Sequence, residues 1–534
     1  MGSSTNGLNG HANGRPVPPL TRLPSISAFS AGSQLKAVRR RSTRVVEYVQ
    51  HQARPLSAGG VRQSMITLTQ TAFGGGVLTL AYGLRASGLY VGVAFTFLAA
   101  VASYIGMDVM MRGAYRLQTF STGSLMAKCL GKRSGILLDL LIYLQGLGMC
   151  IIYFILLGDL VPALVMSWRG ESLGLTEDPQ ELEQRVRLRE RCILASAVVA
   201  VPFTIPRKLS SLRYVSVVAL FSIFFTVATV LMQCIKLGST EGFTSLVMNE
   251  KVVGIVPDFR SVETFTLLLF AYNCHMNVVP VAAEMTNPTD RRIIKVNLRV
   301  VIVELVSYLL ISIGGYLTFT NATAPNILTN YGASLAANIC RILVSCTLLF
   351  GIPLQLNPGV RSAMHLGEHC FGQSQHKLAQ PLLGGGGEPL SSPTSAFVPI
   401  PSPTSPTLGA LPLPSPSSPG TAPAAWEAPS SAAQQPPPAD WARLLIVFPS
   451  LLLTMVTAIE VPNVATAVSF LGATNGTILM LVLPLLVLHC VGHDTFSPSG
   501  VCVRAGVLLV AFALALGAIC SMVLKQIHGG TSES

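Results

Sequence analysis

The chain has 534 residues, half of them hydrophobic and only 11% charged, against about 25% charged in a soluble domain. That balance excludes the string of soluble domains the length would allow and leaves room for one large membrane domain. The net charge of +12 does not point to nucleic acid, because the basic residues gather in the N-terminal tail and at the ends of apolar runs, where membrane topology places them.

Residues 1–60 are polar and rich in Gly, Ser and Pro, with no signal-peptide apolar segment. They read as a disordered cytosolic tail. Residues 61–366 hold eight apolar spans and residues 441–527 three more, near 64–84, 89–111, 136–166, 191–206, 212–235, 262–285, 296–319, 335–356, 443–461, 463–489 and 502–524. Each approaches the ~20 residues that a helix needs to cross a bilayer. The expected fold is therefore an all-α membrane protein of eleven transmembrane helices.

The first span carries Gly74-Gly75-Gly76 at its middle. Each glycine costs about 1 kcal/mol of helix propensity relative to alanine, so three together predict a break. Span three is long enough to tilt, and Pro202 and Pro206 weaken span four. Span six is interrupted at Phe270-Ala271-Tyr272-Asn273-Cys274-His275-Met276-Asn277 and closed by Pro280. Irregular backbone survives in a bilayer only where it is buried in protein or lines a cavity. Two broken helices in separated spans are the sequence mark of a secondary transporter's site.

Orientation follows from the loops. Arginines and lysines precede span one, lie between spans two and three (Arg112, Arg116, Lys128, Lys132, Arg133), and follow spans four and six (Arg207, Lys208, Arg213; Arg291, Arg292, Lys295, Arg299). This places the N-terminus in the cytosol, and an odd span count puts the short tail 528–534 outside or in a lumen. Residues 367–440, with a four-glycine run at 384–387 and repeated Ser-Pro pairs, read as a disordered cytosolic loop. Asn321-Ala322-Thr323, in the outward loop after span seven, is a glycosylation sequon. A second, Asn475-Gly476-Thr477, lies inside span ten and should be unused. The eleven cysteines show neither metal spacing nor a disulfide framework, and no cofactor motif is present. The chain carries no GxSxG, HExxH or phosphate loop, so no enzyme is expected.

Gln70-Thr71-Ala72-Phe73-Gly74-Gly75-Gly76-Val77-Leu78-Thr79-Leu80-Ala81-Tyr82-Gly83 resembles the first helix of the amino acid/auxin permease family. Gly148 to Pro162 is similar to its third helix. Cys274-His275 through Pro280 to Glu284 resembles the sixth, Gly314-Gly315-Tyr316-Leu317-Thr318-Phe319 the end of the seventh, and Gly472-Ala473-Thr474 the tenth. The resemblance covers roughly residues 60–370 and 440–525. It implies eleven helices, ten of them in two inverted five-helix repeats of the LeuT type, and ion-coupled amino acid transport like that of the vacuolar and sodium-coupled neutral amino acid transporters.

An amino acid offers a carboxylate and an ammonium. The N–H groups of Gly74, Gly75 and Gly76, at the start of a half-helix, suit the carboxylate; close packing of small residues is the competing reading. Carbonyls around Ala72, Phe270, Ala271 and Tyr272 suit the ammonium, with Thr71 and Asn273 beside them. For the coupling ion, His275 near mid-membrane suits a proton, although a neutral histidine satisfied by its neighbours explains it equally well. Sodium would draw on carbonyls near Gln70 and Phe73 and on the hydroxyls of Ser345 and Thr347. Leu349 and Gly351 stand near where sodium-coupled relatives keep hydroxyls, which favours the proton. Glu284 and Glu304 are candidate partners of Arg291 or Arg299 in an inner gate. The expected function is amino acid transport by alternating access in the plasma membrane or a vacuolar or lysosomal membrane, with a sodium symporter or a membrane amino acid sensor as alternatives.

Overall fold

The computed structural model describes residues 60–131, 133–171, 178–205, 213–378, 440–461 and 463–529. The expected N-terminal tail up to residue 59, the Ser/Pro-rich stretch from 379 to 439 and the last five residues lie outside that set. Among the described residues the chain is helical and contains no strand. Its helices are α1 (Val61–Ala72), α2 (Leu80–Ser87), α3 (Leu89–Leu117), α4 (Thr122–Leu130), α5 (Arg133–Arg169), α6 (Pro179–Thr204), α7 (Arg213–Glu241), α8 (Glu263–Ala271), α9 (Val278–Glu284), α10 (Asp290–Phe319), α11 (Leu335–Leu378), α12 (Asp440–Glu460), α13 (Val464–Leu471), α14 (Leu483–Thr495) and α15 (Pro498–Gly529).

Nine segments of the described residues are long and apolar enough to cross a membrane: α3, α5, α7, the α8–α9 pair, α10, α11, α12, the α13–α14 pair and α15. The other two expected spans are helical but fall outside that set. The first is split into α1 and α2 by a tight turn at Gly75–Thr79. In α6 the first half carries Arg185, Arg187, Arg189 and Arg191, so its apolar stretch is short. Large apolar side chains such as Phe97, Phe221, Leu452 and Val510 point outward, as expected where the surrounding solvent is hydrocarbon. The protein is a multi-pass membrane protein.

The core is organised around α5, a 37-residue helix whose length of about 55 Å at 1.5 Å per residue exceeds a bilayer's thickness. It packs most extensively on α11 and also on α6 and α12. Glycines allow the close approach: an added Cβ at Gly146 would sit 2.9 Å from the Gln355 carbonyl oxygen, and one at Gly359 would sit 3.3 Å from the Tyr143 Cα. Between α13 and α14 the chain winds as wider π-type turns, Gly472–Gly476 and Ile478–Val482; the first presses against α8 and the second against α3 and α15.

The two ends of the bundle are closed by different means. The C-terminal end of α3 meets the start of α10 through Arg112 and Asp290 at 2.6 Å, and α4 lies at this same face. At the opposite end, residues 320–334 fold over the bundle with Ile327 and Leu328 fully buried. The fully buried Arg341 donates to the carbonyls of Leu328 (3.1 Å) and Tyr331 and to Asn338 Oδ1 (2.7 Å), while Arg85 reaches the Thr323 carbonyl at 2.9 Å.

A Cβ added at Gly472 would overlap the Thr266 carbonyl oxygen, which is backbone and cannot rotate away. Overpacking of this kind costs about 1–3 kcal/mol. Gly472→Ala should therefore lower the thermal unfolding midpoint in detergent. Gly506→Ala, where nothing lies within 4 Å of the new carbon, should leave it unchanged or higher.

Candidate substrate site

Both predicted breaks are present and face one another. α1 stops at Ala72, where the Phe73 N–H still reaches the Thr69 carbonyl and the Gly74 N–H turns back to Ala72. α8 stops at Ala271, and the chain passes through a short turn, His275–Asn277, before α9. One side chain ties the two ends together. The Tyr308 hydroxyl, from the middle of α10, donates to the Ala271 carbonyl at 2.7 Å and lies 3.3 Å from that of Ala72. Its ring packs edge-on against Tyr272 at 4.8 Å and beside Phe73 at 5.6 Å. A second tie runs from Asn277 Nδ2 to Thr71 Oγ1 at 2.9 Å.

Beside these ties lies a cavity of about 290 Å³, within reach of a small amino acid. Its walls come from α1 and the residues after it, the α8–α9 break, α5, α7 and α11. Polar groups alternate with apolar ones: Gln70, Thr71, Asn273, Asn277, Gln145, Thr347 and Gln355 with Phe73, Phe270, Met149 and Leu354. No charged side chain lines it among the described residues. Two acceptors in its wall, Gln145 Oε1 and Asn273 Oδ1, are buried without a hydrogen-bond partner. Orphaned acceptors of this kind are uncommon in folded proteins and mark a place where a donor is missing. A second cavity of about 630 Å³, at the α4 face, shares Met276, Asn277 and Pro358 with the first. The two cavities are thus neighbours, separated by those three residues, and the 320–334 segment lies at the other end of the bundle.

The residues singled out by the sequence divide in two. Gln70, Thr71, Ala72, Phe73, Gly74, Phe270, Asn273 and Thr347 line the cavity; Gly75, Gly76, Ala271, Tyr272, His275 and Ser345 do not. A Cβ at Gly74 would meet Met149 and Tyr153 at 3.5 and 3.7 Å, beside the cavity, whereas one at Gly75 would strike Leu156 of α5 and one at Gly76 the Phe270 ring. The carbonyls of Ala72, Phe270, Ala271 and Tyr272 each accept a hydrogen bond, from Gly74 N, Asn273 N, Tyr308 Oη and Cys274 N. His275 is fully buried on the side away from the cavity, packed over Gly106 of α3. Thr347 donates to the Leu343 carbonyl at 2.9 Å, and the Ser345 hydroxyl is buried without a partner. Asn321 is exposed at the end of α10, with Thr323 of its sequon buried.

The expected pairing of Glu284 or Glu304 with Arg291 or Arg299 is not present among the described residues. Arg291, Arg299 and Glu284 are exposed, while Glu304 is fully buried with neither carboxylate oxygen hydrogen-bonded. Glu304 sits in the middle of α10, thirteen residues from Arg291 and five from Arg299, and neither exposed arginine reaches it in the core. The charged network at the α4 face is instead built on Asp108, 1% exposed, which receives Arg112 at 2.9 Å and Arg504 at 3.2 Å. Both guanidiniums flank the Phe496 ring, at 5.5 and 4.0 Å from its centre. No local pattern in the sequence pairs Asp108 with Arg504, which is 396 positions away. Gln145 and Tyr308 were also missed: one is an ordinary polar residue on span three, the other an ordinary aromatic on span seven.

Comparison with known proteins gives a consistent result. The AAT1 protein of Toxoplasma gondii is 28% identical over 313 residues, 58% of this chain and 41% of that protein. Vacuolar amino acid transporters 6 and 7 of Saccharomyces cerevisiae are 27% and 28% identical over 310 and 300 residues. These cover 57% and 55% of this chain and 66% and 57% of the relatives. The matched stretch therefore spans about half the length of these curated relatives. The solved structure of MhsT in complex with L-phenylalanine has a TM-score of 0.49 and 10% identity over 86% of this chain and 98% of that one. The model of the transmembrane amino acid transporter protein family matches residues 57–524, most of the chain, and the chain belongs to that family.

Proposed function

We propose that the protein moves neutral amino acids across a membrane by alternating access, driven by a proton gradient. The observation that carries this reading is the cavity itself, set between two broken helices with two orphaned acceptors, Gln145 Oε1 and Asn273 Oδ1, in its wall. An ammonium has three donors to offer those acceptors. Gly74, in the cavity wall, stands just before the positive end of the half-helix α2, a setting that would suit a carboxylate. The uncharged lining supports a neutral side chain, since a buried charge without a partner is costly.

The breaks fall in the first and sixth of the spans expected from the sequence, which is the correspondence that two inverted five-helix repeats would produce. With the N-terminus in the cytosol, the α4 face is cytosolic and the central cavity opens inward. Residues 320–334 and Asn321 then face outward or a lumen, and the relatives' names favour a vacuolar or lysosomal membrane. Among coupling ions, the proton is favoured over sodium because Ser345 stands outside the cavity, which leaves Thr347 as the one candidate hydroxyl of α11 in its wall. A sensor with little flux is the competing reading.

Uptake of a panel of radiolabelled amino acids into proteoliposomes tests this. Neutral polar amino acids should accumulate when the source side is acidified, and replacing sodium with choline should change little. Binding without flux would favour the sensor, and steep sodium dependence at constant pH would overturn the proton.

Gly74 and Gly75 should separate function from packing. Gly74→Leu sends a side chain into the cavity and should cut initial uptake at least about tenfold, a loss of only 1.4 kcal/mol, with little change in the unfolding midpoint. Gly75→Ala should mainly lower that midpoint, because its new carbon would come within 2.5 Å of Leu156 Cδ1. A cysteine at position 321 should react with an impermeant reagent from the outer or lumenal side only; cytosolic reaction would invert the topology.

A further inference from the structure

Glu304 is the one fully buried carboxylate in the middle of α10, and both its oxygens lack a hydrogen-bond partner. Its surroundings offer no counter-ion. The titratable groups facing it are Tyr272 and Cys274 at the α8 break and Tyr308 one turn along its own helix. The helices α1, α2, α3 and α7, packed against α10, bring no charged side chain to it among the described residues. Asp108 of α3 is engaged by Arg112 and Arg504, and His275 is turned onto Gly106. Two further orphans belong to the same region: the Tyr272 hydroxyl, and both amide atoms of Asn297. Asn297, Glu304 and Tyr308 are spaced by seven and four residues, so they share one face of the helix.

A carboxyl group in that position is neutral while it carries a proton and is an uncompensated charge when it does not. Inside a membrane the charged form is costly, and such residues mark ion pathways. Nothing in the static packing explains why an acid stands here in place of an apolar residue. We propose that Glu304 is the binding site of the coupling proton, an assignment that rests on the proton-coupled reading above and names its residue.

The linkage to the substrate site runs through tyrosine hydroxyls. When the proton leaves, the carboxyl O–H bond breaks, the proton passes to water, and no bond in the amino acid is made or broken. The carboxylate left behind needs donors, and the Tyr272 and Tyr308 hydroxyls are those nearest to it. Tyr272 has a free donor to give. Tyr308 can give its own only by releasing the Ala271 carbonyl, which it holds at 2.7 Å. The charge state of Glu304 and the tie between the two broken helices therefore bias one another, as a coupling free energy requires. Asn297, nearer the Asp290 end of α10, is the polar station between Glu304 and the α4 face.

The test uses full-length protein in liposomes, with the fastest-transported amino acid of the uptake panel as probe. Glu304→Gln, which mimics the protonated group, should lose accumulation driven by a pH gradient while retaining exchange of labelled for unlabelled probe. Gradient-driven accumulation in Glu304→Gln equal to wild type would overturn the assignment. If Glu304→Gln loses exchange as well, Glu304→Asp decides. Gradient-driven uptake with a displaced pH profile supports the site; an unchanged profile, or no transport by folded protein, refutes it. A wild-type protein that ignores the gradient would instead remove the proton-coupled reading itself, and Glu304 with it.

Discussion

Backbone hydrogen bonding in a medium without water is the constraint on which the rest of the structure depends. A helix that stops within the bilayer leaves carbonyls and N–H groups with nowhere to turn. This chain stops twice, at Ala72 and at Ala271, and brings the two ends together so that neighbouring groups can answer them. Part of the answer is local: Gly74 turns back to Ala72, and Cys274 to Tyr272. Part is long-range, the Tyr308 hydroxyl standing between the Ala271 and Ala72 carbonyls. The cavity exists because these breaks exist, and α5 and α11 complete its wall because glycines let them approach each other and the broken segments.

The fold was largely legible in the sequence, because hydrophobic length and backbone interruption are local signals. Three adjacent glycines in an apolar run and a polar hexapeptide closed by a proline predict breaks without any knowledge of partners, and both are there. Two expected spans lie outside the set of long apolar helices: the first, split at its glycines as anticipated, and the fourth, expected to be weakened by Pro202 and Pro206 but shortened instead by the arginines in the first half of α6, with Pro202 inside the helix. Helix α11 runs on to Leu378, twelve residues past 366, because the stretch that follows has no proline until residue 381.

The site was legible in part, and the limit is physical. Sequence locates a break but not the direction in which each residue at the break points. Gly74, Gly75 and Gly76 are equivalent as letters; in space one borders the cavity, one meets Leu156 and one meets Phe270. Gln145 and Tyr308 carry no local signal, since one matters through a neighbour it lacks and the other through neighbours more than thirty residues away. The carboxylate pairing was misjudged for the same reason. Proximity along α10 pointed to Arg291 and Arg299, whereas burial set Glu304 apart, and the charged latch formed around Asp108 and distant Arg504.

The two ends of the bundle are fastened by different chemistry. At the α4 face the fastening is a set of carboxylates, Asp108 and Asp290, held by guanidiniums around one aromatic ring. At the other face it is two guanidiniums, Arg341 and Arg85, gripping main-chain oxygens, with the Asp159–Arg189 pair beside them. Carboxylates lose their charge in strong acid; neither a guanidinium nor a peptide oxygen exchanges a proton anywhere in the range that cellular compartments span. The guanidinium grips on residues 320–334 are therefore indifferent to acidity, whereas the Asp159 carboxylate, which lies against Asn326, is not. A protein fastened this way keeps its main-chain grips against an acidic lumen, and the Asp159 contact is where acid would act on the cap.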